Sequence, residues 1–449
     1  MIPVLTPDEM RAVDAAAPEP VEVLIERAGA AVAIEALRLL GGGYGRRVVV
    51  LAGKGNNGAD GRAAAVRLRR RGVRVAVIEA EGAPDRLPAA DLVIDAAYGT
   101  GFRGTHQPPD LGGAPVLAVD IPSGIDGTTG EEHGHAWPAQ RTVTFAALKP
   151  GLLFPPGRER AGSVALADIG LDVSHASAGV VEASDVAAWV PAPRATAHKW
   201  HAALLVVAGS PGMTGAAHLC ASAAQRAGAG MVRLGTPGLD DDPGRPTEAV
   251  GLALPAEGWA ASVTAVAARF GAVVVGPGLG RADGTADEVA HLLSRLEQPV
   301  VLDGDGLAAL GGQPAGLAGR GHPTVLTPHD GEHEQLTGRP PGPDRLAAAR
   351  DLARTSGAVV LLKGPTTVIA APDGPTAVVL GDARLATAGT GDVLSGLIGA
   401  LLARGVAAFP AAAAGAWLHA RAASVGPPAG LVAGDLPALV GAALAEVAR

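Results

Sequence analysis

Two glycine-rich turns carry most of the chemistry open to this sequence. The first, Gly53-Lys54-Gly55-Asn56-Asn57-Gly58, follows a short apolar run and leads into a helical stretch expected to open near Asp60 or Gly61. Backbone N–H groups at a helix N-terminus approach an anion closely when no side chain intervenes, so this Gly-x-Gly-x-x-Gly spacing suits a phosphate or a dinucleotide. Glu79 or Glu81 stands near the distance at which an acidic residue would meet a ribose, which keeps a hydride-transferring dehydrogenase in view. The amide and carboxylate oxygens of Asn56, Asn57 and Asp60 favour a cation or a sugar amide instead, and a tight turn with polar caps would read similarly. Two further acidic strand ends, Asp95 and Asp120, fall at the edge where open α/β sheets bind ligands, so three polar loops face one crevice. The second turn, Gly389-Thr390-Gly391-Asp392, precedes a long apolar helix. Its amides and helix dipole form an anion site, and Asp392 can take a proton from a hydroxyl attacking a phosphoryl group. An aspartate N-cap alone would share that spacing. No Gly-x-x-x-x-Gly-Lys-Ser/Thr loop is present, which disfavours a P-loop ATPase.

The elements that must position these turns follow from apolar periodicity. Helical spacing runs from Pro18 to Leu40 and stops at three glycines. Runs apolar on both faces then recur at 48–52, 73–78, 92–96, 116–119 and 143–146, and again at 204–208, 273–275, 300–302, 324–326, 359–363 and 366–369. Helical patterns fall between them at 61–71, 215–227, 345–354 and 392–403. Such alternation predicts two doubly wound α/β domains with mostly parallel sheets. A small-residue stretch between Gly170 and Ser184 separates them, giving expected domains of 1–172 and 184–449.

Composition narrows the function classes. At 449 residues, roughly three times the commonest domain size, two full cores are expected. A formal charge of -8 offers no basic field for nucleic acid or an anionic membrane surface. The longest uncharged stretch, 200–225, is broken by Gly209, Pro211 and Gly212, so a soluble protein is expected. A single cysteine, Cys220, and a charged N-terminal segment point to a reducing compartment, the cytoplasm. Lysine occurs only at 54, 149, 199 and 363, and asparagine only at 56 and 57, against 32 arginines. These rare residues lie within or beside the glycine-rich segments. His329 and His333 at i, i+4 could suggest zinc, but acidic residues in a first helical turn serve the helix dipole equally well.

From Leu5 to Ile169 the sequence resembles the epimerase domain of NAD(P)H-hydrate repair enzymes. The resemblance rests on Asn56-Asn57-Gly58-Ala59-Asp60-Gly61, on Asp95-Ala-Ala-Tyr-Gly99-Thr100-Gly101 and on Val119-Asp120-Ile-Pro-Ser123-Gly. It implies a Rossmann-like α/β/α sandwich in which Asn56, Asn57, Gly58, Ala59 and Asp60 hold the substrate together with Gly99, Thr100, Gly101, Phe102, Arg103, Gly104, Thr105 and Asp120. It further implies that Asn57, Asp95 and Ser123 bind K⁺. Inverting the hydroxyl-bearing carbon beside the ring nitrogen needs proton transfer, for which Asp120 is the candidate and Asp95 the alternative. Ala59 stands where the family commonly has glycine, which matters if that backbone needs positive φ.

From Ser184 onward the chain resembles the ribokinase-like, ADP- or ATP-dependent NAD(P)H-hydrate dehydratases. The supporting residues are Gly389-Thr-Gly-Asp392, Ala197-His-Lys199, 275–280, 302–307, 327–332 and Lys363-Gly364-Pro365-Thr366-Thr367. The resemblance implies an adenine nucleotide at Lys363, Gly364, Pro365, Thr366, Thr367 and Gly391, and the hydrated cofactor at Ala216, Gly278, His329 and Asp392. Mg²⁺ would accompany the ADP or ATP, and tetramers or larger homo-oligomers are implied. Departures from the family pattern are Trp200, Gly304 and Gly306 for alanine, and Asp330 for proline. Phosphorylating the hydrate's hydroxyl turns a poor leaving group into a good one, which the ring nitrogen's lone pair can expel. The rival readings are a small-molecule kinase acting on a vitamin alcohol, fused to a Rossmann-like domain, and a nucleotide sensor without turnover.

Overall fold

Strands buried on both faces can be apolar throughout, whereas an edge strand must alternate. In the computed structural model, which describes residues 1–192 and 195–447, central strands such as Val116–Val119, Ala203–Val207 and Ala272–Val275 are apolar and buried on both faces. The chain divides into two units, 2–178 and 179–449 together with Met1.

The first unit holds a six-stranded parallel sheet of β1 (Arg47–Ala52), β2 (Arg74–Glu79), β3 (Leu92–Ala96), β4 (Val116–Val119), β5 (Arg141–Phe145) and β6 (Ser163–Ala167), in the order β2-β1-β3-β4-β5-β6. Central β3 and β4 are buried along their whole length, and edge strand β2 exposes Arg74, Ala76 and Glu79. Before the sheet come α1 (Pro7–Ala15), started by a Thr6–Glu9 capping box, and α2 (Val21–Leu40), ended by a left-handed Gly41. Neither α1 nor β6 was expected from apolar spacing, because both are short and carry polar residues. The helix after β1, α3 (Asn56–Arg70), begins at Asn56 rather than near Asp60. Glycines permit this early start: a Cβ on Gly58 would lie 1.9 Å from the Gly53 carbonyl oxygen, and one on Gly53 1.9 Å from that of Ala97. Residues 56–60 therefore form a first helical turn. Ala59 has no positive φ, so a methyl group there meets no backbone constraint.

The second unit is built on β7 (Ala203–Val207), β8 (Met231–Pro237), β9 (Val250–Leu254), β10 (Ala272–Val275), β11 (Val300–Leu302), β12 (Thr324–Leu326), β13 (Val359–Leu362), β14 (Thr366–Ala370) and β15 (Thr376–Leu380). They run in the order β15-β14-β13-β12-β11-β10-β7-β8-β9, parallel except for the β13-β14-β15 meander. One core face is made by α4 (Gly215–Arg226), α5 (Thr390–Ala403) and α6 (Ala408–Val425), rich in alanine and glycine. Small residues let helix backbones touch. A Cβ on Gly396 of α5 would lie 2.1 Å from the carbonyl oxygen of Cys220 on α4, and one on Gly399 2.4 Å from Val274 of β10. Cys220 is fully buried, and burial pushes its thiol pKa up, so it serves as a small core residue. No helix among the described residues is long and apolar enough to cross a membrane.

Gly396→Ala must separate α4 from α5. We expect a loss of about 1–3 kcal/mol in thermal or denaturant unfolding. An unchanged midpoint would show that the contact is not tight.

Candidate active sites

In the first unit the loops after β1, β3, β4 and β5 surround a cavity of about 560 Å³. Asp120 follows β4 with φ at 66°, a left-handed conformation rare outside glycine and costing on the order of 1–3 kcal/mol. A ladder bond from its N–H to Val143 O (2.7 Å) and the buried Lys149 hold it there. The Lys149 ammonium reaches Asp120 Oδ1 at 2.7 Å, Thr144 Oγ1 at 2.8 Å and Phe145 O at 3.0 Å, three acceptors that offset burial of a cation.

Asp60 lines the same cavity from the first turn of α3 and is 8% exposed. Burial, then the charges of Asp120 and Asp14, push its pKa to about 8 against the opposing effect of Lys149. Asp14, at the end of α1, also faces the cavity, and burial raises its pKa. Asp95 lies beneath: it is fully buried, accepts bonds from Ser123 N (2.9 Å) and Ser123 Oγ (2.6 Å), and is absent from the cavity wall. Burial raises its pKa, opposed by the Ser123 hydrogen bonds and by His106. Of the two carboxylates the sequence leaves open for proton transfer, Asp120 faces the cavity.

Asn56, Asn57 and residues 99–102 also line the cavity, whereas Gly58 packs on Gly53 and Arg103, Gly104 and Thr105 lie outside the lining. Both polar atoms of the Asn57 side chain are buried without a partner. A free amide oxygen, a buried carboxylate and the Ser123 hydroxyl are hard oxygen donors that fit a monovalent cation. The acidic residues expected to meet a ribose are engaged elsewhere, Glu79 with Arg62 and Glu81 with Lys54. Lys149 and Asp14 were not singled out in the sequence, although the scarcity of lysine was a signal for the first.

In the second unit the site again gathers at the carboxyl ends of parallel strands. Asp303 follows β11, Thr327 follows β12 and Lys363 follows β13. The Lys363 ammonium sits 2.9 Å from Asp303 Oδ1 and 3.5 Å from Glu332 Oε2. Thr327 Oγ1 and Ser395 Oγ each donate to Asp303 at 2.8 Å. Burial works against the charge on Lys363, but Asp303 and Glu332 outweigh it and raise its pKa. Gly389, at φ 90°, caps α5 and sets Asp392 in the first helical turn. Burial, then Asp303 and Glu332, push the Asp392 pKa to about 7, with Lys363 opposing. Behind this turn His419 of α6 is buried, and burial pushes its pKa down to about 4. No spacing in the sequence marks it.

Gly278, at φ 61°, abuts Ala216: a Cβ there would lie 2.9 Å from the Ala216 methyl. His329 caps the helix Asp330–Thr337, its Nδ1 accepting from the amides of Gly331 (3.1 Å) and Glu332 (3.2 Å). Glu332 closes the capping box on the His329 N–H at 2.8 Å. Asp330 forms a two-pronged pair with Arg345, at 3.1 and 2.8 Å. Arg345 also donates to Lys363 O at 2.7 Å, so the departure from proline ties this helix to the Lys363-Gly364 turn. Thr366 is buried at the start of β14, Thr367 Oγ1 lies 3.4 Å from Gly364 O, and Pro365 O accepts from Gly381 N at 3.0 Å. A Cβ on Gly391 would lie 3.5 Å from the Lys363 ammonium. Gly304 takes φ 53°, and a Cβ on Gly306 would lie 2.6 Å from Val275 O, so both departures from alanine stand where a methyl group is disfavoured. The Arg269 guanidinium lies 4.1 Å over the Trp200 ring, giving that departure a packing role.

Asp60 has a stability consequence of definite sign. The unfolded chain ionises this carboxyl near the usual aspartate value of about 4, whereas the folded unit does so only near 8. Its contribution to stability therefore worsens as pH rises between those limits. Asp60→Asn should stabilise the first unit by at least about 1 kcal/mol at pH 8 and much less at pH 4. A gain that did not grow with pH in thermal unfolding would contradict the assignment.

Comparison with known proteins places these sites in context. The family model described as NAD(P)H-hydrate dehydratase matches residues 204–442, and the model described as YjeF-related protein N-terminus matches 21–90 and 78–151. The bifunctional NAD(P)H-hydrate repair enzyme Nnr of Mycobacterium tuberculosis is 42% identical over 443 residues, covering 90% of each chain. Its counterpart from Mycobacterium leprae is 40% identical over 435 residues, covering 90% of this chain and 89% of the other. Among solved structures, the ADP/ATP-dependent NAD(P)H-hydrate dehydratase of Bacillus subtilis, co-crystallised with ATP and Mg²⁺, is 29% identical. It has a TM-score of 0.52 and covers 60% of this chain and 98% of its own. A ribokinase-like protein from Enterococcus faecalis, 20% identical with a TM-score of 0.53, covers 61% of this chain and 97% of its own and shares the fold. The chain belongs to the family of bifunctional NAD(P)H-hydrate repair enzymes.

Proposed function

We propose that this chain restores NADH and NADPH from their hydrates, with residues 1–172 interconverting the R and S hydrates and residues 184–449 dehydrating the S form. The dehydration consumes ADP or ATP and leaves AMP or ADP and phosphate. The observation that carries this reading is the placement of Asp392, a half-buried carboxyl in the first turn of a helix opened by Gly389-Thr390-Gly391, where partial burial and the charges of Asp303 and Glu332 push its pKa up to about 7. A group poised there is a base at neutral pH and sits beside amides that stabilise phosphoryl charge.

In the second unit Asp392 takes the proton of the hydrate's hydroxyl as its oxygen attacks the terminal phosphoryl group. Gly391 and its neighbours offer N–H donors to the phosphoryl oxygens, while Lys363, Gly364, Pro365, Thr366 and Thr367 hold the nucleotide. Ala216, Gly278 and His329 seat the hydrate. Mg²⁺ would accompany the nucleotide and neutralise charge on its phosphates. Once phosphorylated, the oxygen departs as phosphate under the push of the ring nitrogen's lone pair.

In the first unit Asp120 moves the proton of the substrate hydroxyl, within a site that Asn56 to Asp60 and Gly99 to Thr105 complete. K⁺ would be held by Asn57, Asp95 and Ser123; the buried, unpartnered Asn57 amide supports it. A reducing cytoplasm and a homo-oligomeric assembly accord with the single cysteine and with the family resemblance.

Asp392→Asn should lower nucleotide-dependent recovery of the S hydrate by about 100-fold or more, read from the absorbance of the dihydronicotinamide ring. In the wild type the rate should fall as pH drops through about 7, because protonated Asp392 cannot accept a proton. A rate indifferent to the substitution would remove Asp392 from the mechanism.

A further inference from the structure

Two of the carboxyls that face the first cavity are in opposite circumstances. Asp120 is ion-paired with Lys149 at 2.7 Å and accepts from Thr144 at 3.2 Å. Asp60, equally on the wall, has no cation or hydrogen-bond donor at its side chain among the described residues. A buried carboxyl without a donor is stable there as the neutral acid, which has a proton to give. The other titratable groups facing this cavity are Asp14 from α1, Glu19 ahead of α2, Lys54 in the first turn, Tyr98 after β3 and Lys149. Asp14 and Asp120 reinforce the neutral form of Asp60, and Lys149 opposes it.

We propose that Asp60 is a second catalytic residue of the first unit, the acid that protonates the departing hydroxyl while Asp120 is the base for the incoming water. The inference rests on the epimerase reading given above. In the forward sense the ring nitrogen's lone pair forms a C=N bond as the C–O bond breaks. The departing oxygen takes the Asp60 proton and leaves as water. A water then attacks the opposite face of that carbon, the π pair returns to nitrogen, and the attacking oxygen gives one proton to Asp120. Atoms balance: one water leaves and one enters, and a proton has moved from Asp60 to Asp120. The reverse inversion moves it back, or exchange with solvent restores the starting state. Two carboxyls that exchange roles let one cavity act on both epimers without a cofactor in the step.

The test uses the full-length chain with K⁺ and without nucleotide, following R and S NADH hydrates by chromatography in water enriched in heavy oxygen. The wild type should place solvent oxygen in the inverted epimer. Asp60→Asn and the smaller Asp60→Ser should each lower kcat by about 100-fold with KM changed by no more than about threefold. Asp60→Glu, which keeps the acid, should recover part of that loss. Recovery of the S hydrate with nucleotide, a property of the other unit, should persist in all three. Substituted chains that interconvert the epimers within about threefold of wild type would overturn the proposal, as would inversion that keeps the original oxygen. A wild type that fails to exceed spontaneous interconversion would instead overturn the epimerase reading itself.

Discussion

A lysine ammonium at the carboxyl end of a parallel strand organises each half of this molecule, fully buried at Lys149 and half-buried at Lys363. Lys149 fixes Asp120 after β4, and Lys363 fixes Asp303 after β11. Lys149 is satisfied by a carboxylate, a hydroxyl and a backbone carbonyl, and Lys363 by the two carboxylates of Asp303 and Glu332, as withdrawal of a cation from solvent demands. The ion pair settles which carboxyl is committed to structure and charge and which is left without a counterion. Asp60 and Asp392 are those left over, and burial raises both toward neutrality. Unpaired acids set beside paired ones give a site groups that differ in proton affinity, the condition for moving protons at neutral pH.

The backbone around these groups is arranged for close approach. Glycines 53 and 58 let the first turn of α3 reach the loop after β3, and glycines 276, 278 and 306 do the same for the loops after β10 and β11. Asp120 itself adopts a left-handed φ outside glycine, a local cost compensated by the Lys149 pair and the ladder bond to Val143. Stability is thereby surrendered at the sites and regained in the cores, where small-residue contacts between α4 and α5 bring apolar helices onto the sheet.

Much of this was legible in the sequence. Strands apolar on both faces announced parallel sheets, and the glycine-rich turns marked the ends that bear the sites. The start of α3 was misplaced because the asparagines of residues 56 and 57 read as turn residues, whereas glycine at 55 and 58 allows a helix to begin there. Asp14 was invisible, since nothing local distinguishes it from other charges on a short amphipathic helix. The role of Asp60 depends on the missing partner rather than on residue type, and the Lys363–Asp303–Ser395 network joins residues far apart in the chain. Spacing rules cannot register either kind of information. Gly304 and Gly306, departures from the family pattern, are explained by backbone geometry that only the fold displays.

The central claim is that one chain recovers both epimers by joining an inversion to a nucleotide-dependent dehydration. A mixture of R and S NADH hydrates incubated with the intact protein, Mg²⁺, K⁺ and ADP or ATP tests it most directly, with the return of dihydronicotinamide absorbance as the readout. The account predicts complete recovery of the mixture, faster than spontaneous epimerisation allows. Absence of any nucleotide-dependent recovery would contradict it.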